Sequence, residues 1–221
     1  MDASVAMQRY AAEIYRLEEK YDYVPLSELA EHVDVSLQAA SRMIRRLKEA
    51  NIIEHEPYKG VRLTESGHTV AMSGLRRHRI AELYLVEVMG FRLDEVHDLT
   101  HAFEEGLTPV IEERMSEMLG HPMRCPHGEP IPDAQGQLPK LLDGPLVSFS
   151  DGVRATISRI RSHEPKKLRY FAELNMHPGT PITIVRQAPF EGPVRIAIEG
   201  RGEQVLGYQL ASAVWIEPIV G

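Results

Sequence analysis

Ser36-Leu37-Gln38-Ala39-Ala40-Ser41-Arg42-Met43-Ile44-Arg45-Arg46-Leu47 writes two faces onto one predicted helix. Ala40, Ile44 and Leu47 recur at helical spacing as an apolar stripe, and Ser36 is placed to cap the first turn. On the opposite face Gln38, Arg42 and Arg45 fall at i, i+4 and i+7, with Ser36, Ala39, Ser41 and Arg46 alongside. Amide and guanidinium groups pair bidentately with base edges, so this face suits a DNA major groove. Immediately after it, Ile52-Ile53-Glu54-His55 and Val61-Arg62-Leu63 predict two short strands about the turn Pro57-Tyr58-Lys59-Gly60. A short cationic helix followed by a two-stranded wing is the equipment of a winged helix-turn-helix, in which Arg46, Lys48, Lys59 and Arg62 can hold phosphates. Between Ser36 and Arg62 the balance is Arg42, Arg45, Arg46, Lys48, Lys59 and Arg62 against Glu49, Glu54 and Glu56, or +3, within a chain of net charge −7. The bland alternative, a solvated basic face, loses ground because the wing follows in register.

Toward the N-terminus, Tyr10, Ile14, Leu17 and Tyr21 repeat at helical spacing, and Pro25 suits the first turn of a second helix ending near His32. Toward the C-terminus, residues 64–119 are almost wholly helical in period. Ile80, Leu83, Tyr84, Val86 and Val88 are too apolar for a helix with one buried stripe, which predicts a subunit seam there. The same stretch carries His78 and Glu82 at i, i+4, then His97 and His101 at i, i+4, with Glu104 and Glu105 one turn on. Two facing helices can thus offer His78, Glu82 and His97 to one centre, and His101 with Glu104 or Glu105 to another. Imidazole and carboxylate without sulfur favour Mn²⁺ or Fe²⁺, although Zn²⁺ accepts the same ligands in a closed tetrahedron. Cys125-Pro126-His127 reads as a turn rather than a metal clip, because no second cysteine accompanies it.

Residues 122–145 hold six prolines and three glycines and read as a linker. Beyond it the period falls to two in Val153/Ala155/Ile157, Ile182/Ile184 and Val194/Ile196/Ile198, which predicts a small β-barrel. The organisation expected is α+β in three parts: a winged helix over 1–70, a helical metal-binding and dimerisation region over 71–140, and an SH3-like barrel over 141–221. The 221-residue chain is 43% hydrophobic and 26% charged, ordinary globular composition. No apolar run reaches membrane-span length, Met1-Asp2-Ala3-Ser4 has no leader character, and one cysteine permits no intrachain disulfide. A cytoplasmic protein is therefore expected. A metalloenzyme is disfavoured because no nucleophile or general base is set beside the cluster. A winged-helix regulator of a small organic ligand is the other alternative.

The chain resembles the metal-dependent repressors of the diphtheria toxin repressor/manganese transport regulator family along essentially its whole length. The segments that carry the resemblance are Ala12-Glu13-Ile14-Tyr15-Arg16-Leu17-Glu18-Glu19, Leu63-Thr64-Glu65-Ser66-Gly67, Arg77-His78-Arg79-Ile80-Ala81-Glu82 and Glu95-Val96-His97. Cys125-Pro126-His127-Gly128-Glu129-Pro130-Ile131-Pro132 and Leu174-Asn175-Met176-His177-Pro178-Gly179 continue it. The resemblance implies a homodimer that binds double-stranded promoter DNA at an inverted repeat when loaded with Mn²⁺ or Fe²⁺. It also implies a first metal site of His78, Glu82 and His97 completed from the barrel by Glu164, with Lys167 where the family has an amide. A second site of His101, Glu104 and Glu105 is implied too, with Arg9 where the family places a ligand from the first helix. That guanidinium is expected to turn to solvent, with Glu13 as a replacement acid, or else to pair with Glu104 or Glu105. An ion bound only by the DNA-competent form stabilises it by about 2.7 kcal/mol at a hundredfold excess over Kd.

Overall fold

The computed structural model describes residues 3–219; Met1 and Asp2, read above for a leader, and Val220 and Gly221 lie outside them. The described chain divides into two compact units that exchange segments. One holds residues up to His78 with Glu104–Glu112 and Pro132–Leu138; the other holds Arg79–Phe103, Glu113–Ile131 and Pro139 onward.

In the first unit, α1 (Val5–Leu17) is capped by Ser4 and buries Tyr10, Ile14 and Leu17 of the stripe read from the sequence, while Tyr21 lies past its end and is half-buried. α2 (Leu26–His32) starts behind Pro25, and α3 (Leu37–Glu49) behind Ser36, whose hydroxyl accepts from the Ala39 amide at 3.2 Å. Ala40, Ile44 and Leu47 are buried. β1 (Ile53–Glu56) and β2 (Gly60–Leu63) pair antiparallel, Glu54 opposite Arg62, and Val61 bridges to Val24. Gly60 is required at that join, since a Cβ there would lie 2.2 Å from the Val24 carbonyl oxygen. One apolar cluster joins these elements to Ala71, Met72 and Leu75 of α4 (Glu65–Glu87).

In the second unit, β3 (Gly144–Pro145), β4 (Arg154–Ile160), β5 (Pro181–Gln187), β6 (Val194–Ile198), β7 (Gly202–Leu206) and β8 (Val214–Pro218) form an antiparallel sheet in the order β3-β8-β4-β5-β6-β7. Register shifts at Ile157/Arg159 and Ile184/Arg186 mark bulges, which bend the strands. Its core of Ala155, Ile157, Ile184, Ile196, Leu206 and Ile216 is closed by Phe171 of the helix Pro165–Glu173. In chain order α5 (Val96–Glu104) and α6 (Pro109–Met118) follow α4; Pro165–Glu173 is then α7, and Tyr208–Ala213 is α8.

Of the residues read as a subunit seam, Ile80 and Leu83 are buried within the protomer, whereas Tyr84 and Val86 are half-buried and Val88 is 49% exposed. One expectation is corrected here. The stretch read as a linker is packed rather than loose: Cys125, His127 and Ile131 are buried. A turn closes it, the Gly128 amide donating to the Cys125 carbonyl and the Cys125 amide to that of Glu129. The prolines here rigidify a docked segment, a role that composition alone does not distinguish from a spacer.

Candidate metal centre and nucleic-acid interface

The Cys125–Gly128 turn lies against β4. The Ile160 amide donates to the His127 carbonyl at 2.9 Å, and a Cβ on Gly128 would stand 1.9 Å from the Ser158 carbonyl oxygen. Glu129 then gathers three arginines, with Arg79 at 3.6 Å, Arg159 at 3.2 Å and Arg161 at 3.3 Å. Arg159 also makes a two-pronged pair with Asp143, both contacts at 2.8 Å, and lies over Trp215. These charge-assisted bonds hold the turn between Arg79 of α4 and the sheet.

So held, the turn delivers Cys125 and His127 to Glu82. A carboxylate oxygen, the thiol sulfur and an imidazole nitrogen lie within 4.8 Å of one another, and all three residues are buried. His127 Nδ1 donates to Glu82 at 3.1 Å, while its Nε2 is buried with no hydrogen-bond partner. Burial opposes charge on this ring, yet the Glu82 carboxylate and neighbouring Cys125 outweigh it and raise His127 to about 10. The ion-free site therefore holds a proton where a cation can sit. An oxygen, sulfur and nitrogen donor set with an orphaned imidazole nitrogen fits a divalent transition metal.

His163, in the loop before α7, stacks on His97 at 4.6 Å between centroids and meets His127 edge-on at 5.1 Å; His97 in turn meets His101 at 4.8 Å. In the other unit, buried His78 and Glu104 are hydrogen-bonded at 3.1 Å.

Measured against expectation, Glu82 and His97 stand with imidazoles, and His78 with a carboxylate. Glu164 does not stand with them. It is the residue before α7, and its carboxylate pairs with Lys167 at 2.9 Å while His163 faces inward. Glu105 is exposed just past the end of α5. Arg9 takes neither course expected of it; Nη2 donates to the Val33 carbonyl at 3.1 Å, tying α1 to the end of α2, and Glu13 is paired with Arg16. Cys125 adds a sulfur to the imidazole and carboxylate groups expected from the sequence. Cys125, His127 and His163 were not among the candidate ligands expected, the first two because a lone Cys-x-His is no signal until Glu82 is set beside it.

On α3, Gln38, Ser41, Arg42 and Arg45 are exposed and, with Leu26 and Leu37, line a shallow hollow of about 490 Å³. Among the described residues Arg42, Arg45 and Arg46 have no ion pair or hydrogen bond, Ala39 is half-buried, and Ser36 is spent on its cap. The wing is less free. Lys59 pairs with Glu56 at 2.6 Å, Arg62 with Glu54 at 2.9 Å, and the Tyr23 hydroxyl donates to Glu56 at 2.7 Å. Lys59 and Tyr23 both pull the Glu56 carboxyl below its usual range.

A winged helix with an unpaired cationic reading face, carried on the same chain as a buried carboxylate–thiol–imidazole group, defines a metal-responsive DNA-binding regulator. Residues 2–61 match the iron dependent repressor N-terminal DNA binding domain, 64–133 the iron dependent repressor metal binding and dimerisation domain, and 144–218 the FeoA domain. A solved manganese-dependent transcriptional repressor in complex with manganese is 34% identical, with a TM-score of 0.88 over 96% of this chain and 100% of its own. The iron-dependent repressor IdeR of Mycobacterium tuberculosis is 27% identical over 96% of each chain, and the diphtheria toxin repressor of Corynebacterium diphtheriae 29% over 96% of each. The chain belongs to this iron-dependent repressor family, whose members are transcriptional repressors and not enzymes. No helix among the described residues is long and apolar enough to cross a membrane.

Proposed function

We propose that this chain, as a cytoplasmic homodimer, represses metal-homeostasis genes by binding an inverted repeat when loaded with Mn²⁺ or Fe²⁺. Residues 1–70 read the DNA, 71–140 bind the ion and dimerise, and 141–221 brace the metal turn. The observation that carries this reading is the buried Glu82–Cys125–His127 group, in a chain whose α3 presents unpaired arginines. Glu82, Cys125 and His127 hold the ion, with His97 and His163 the nearest further imidazoles of that unit. The His78–Glu104 pair marks a second locus. A bound divalent cation supplies the positive charge that the His127 proton provides in its absence, so uptake of the ion releases protons.

Binding of promoter DNA, followed by fluorescence anisotropy under chelator, Mn²⁺ and anaerobic Fe²⁺, tests this. Expected is tight binding with either ion, its loss on chelation, and no ion response in Glu82→Ala. Equal affinity with and without chelator would overturn it.

A further inference from the structure

Leu37 is the first residue of α3 and is 55% exposed, on a helix whose outward face is otherwise polar. It takes no part in the apolar core that holds Ala40, Ile44 and Leu47. Nor does it serve the helix start, where small polar or acidic residues and proline do better. It is also not an isolated surface leucine. Together with Leu26, which packs on the core, it forms the apolar side of the hollow that Gln38, Ser41, Arg42 and Arg45 line with polar groups. Residues at the start of a recognition helix are the ones that meet base edges. The floor of a major groove offers such a surface one apolar group, the C5-methyl of thymine.

We propose that Leu37 reads a thymine methyl in each half-site, with Leu26 as the wall behind it. The polar neighbours take the donor and acceptor edges of adjacent bases, while Leu37 distinguishes thymine from cytosine and from uracil. This rests on α3 being the reading helix.

The test uses the full Mn²⁺-loaded protein. An operator is selected from a random duplex pool, and each thymine of one half-site is then replaced in turn by deoxyuridine, which removes only the methyl. At one position the replacement should weaken wild-type binding about four- to tenfold, the worth of one buried methyl group. Leu37→Ala should bind the thymine and uracil duplexes alike at that position, with an unchanged melting temperature because the side chain is exposed. No effect of uracil at any position, or an effect that persists undiminished in Leu37→Ala, would overturn the assignment of Leu37 alone. If Gln38→Ala and Arg42→Ala select the same operator as wild type, α3 is not the reading helix and the proposal falls with that reading.

Discussion

His127 sits at the junction of two demands, since the ion-free chain wants its ring protonated and a metal wants it neutral. Its ordinary value is 6.5 and its folded value about 10. A group raised on folding contributes stability that is full below the unfolded value and is lost as pH climbs through the folded one. The chelated protein should therefore lose thermal stability between about pH 6.5 and 10, and His127→Gln should flatten that slope. Mn²⁺ affinity should rise with pH over the same interval, because the ion competes with the proton. Scanning calorimetry and metal titration at matched pH check both. Cys125 gives a separate test of the same centre. The Co²⁺-loaded protein should show a near-ultraviolet sulfur-to-cobalt charge-transfer band that disappears in Cys125→Ser, and a spectrum unchanged by the substitution would remove the thiol from the donor set.

The Cys125–Gly128 turn and the wing are elements whose close contacts set their behaviour. Gly128 has φ +85° and no room for a Cβ, whereas Gly152 has φ +83° with nothing within 4 Å of where a Cβ would be. Ala at either position costs backbone strain of about 1–3 kcal/mol, and only Gly128→Ala adds overpacking of similar size. Gly128→Ala should therefore melt well below Gly152→Ala and bind Mn²⁺ more weakly, and equal melting temperatures would show that the turn yields. In the wing, Lys59 must leave Glu56 to reach a phosphate. Glu56→Gln should tighten binding to operator and random DNA alike, roughly 3- to 10-fold near 0.1 M salt, and steepen the salt dependence by about one phosphate contact. A gain confined to the operator would contradict a backbone role for Lys59.

At the scale of the molecule, a chain of net charge −7 binds a polyanion through a local surplus, so specificity has to come from a few base contacts made twice. A dimer on an inverted repeat places one α3 in each half-site. Loss of a bidentate guanine contact costs about 1–3 kcal/mol per half-site, so Arg42→Ala should lower operator affinity by about twice that in the dimer. Random DNA should lose much less. Competition binding at fixed salt measures the ratio, and equal losses on both DNAs would make Arg42 a phosphate contact.

The winged helix and the strands were legible in the sequence because their signals are local. The Ala40/Ile44/Leu47 stripe, the Ser36 cap and the period-two runs of β4 to β6 depend on neighbours a few residues away, and burial follows directly from them. The family's motifs likewise singled out Glu82 and His97 as candidate ligands. Tertiary structure alone assembled the Glu82–Cys125–His127 group. Cys125 and His127 lie more than forty residues from Glu82, and only the fold of the proline-rich segment, fastened through Glu129 and Ile160, brings them to it. His163 rather than Glu164 turns inward because α7 begins at Pro165, leaving Glu164 one turn from Lys167, and a loop one residue out of step reverses which side chain faces the core. The pairing of Arg62 with Glu54 was not legible because the cross-strand register that sets them opposite exists only once the hairpin has formed. Periodicity reports what a residue does to its own helix or strand; ligand sets and charge pairs are made between segments, and their geometry is supplied by the fold.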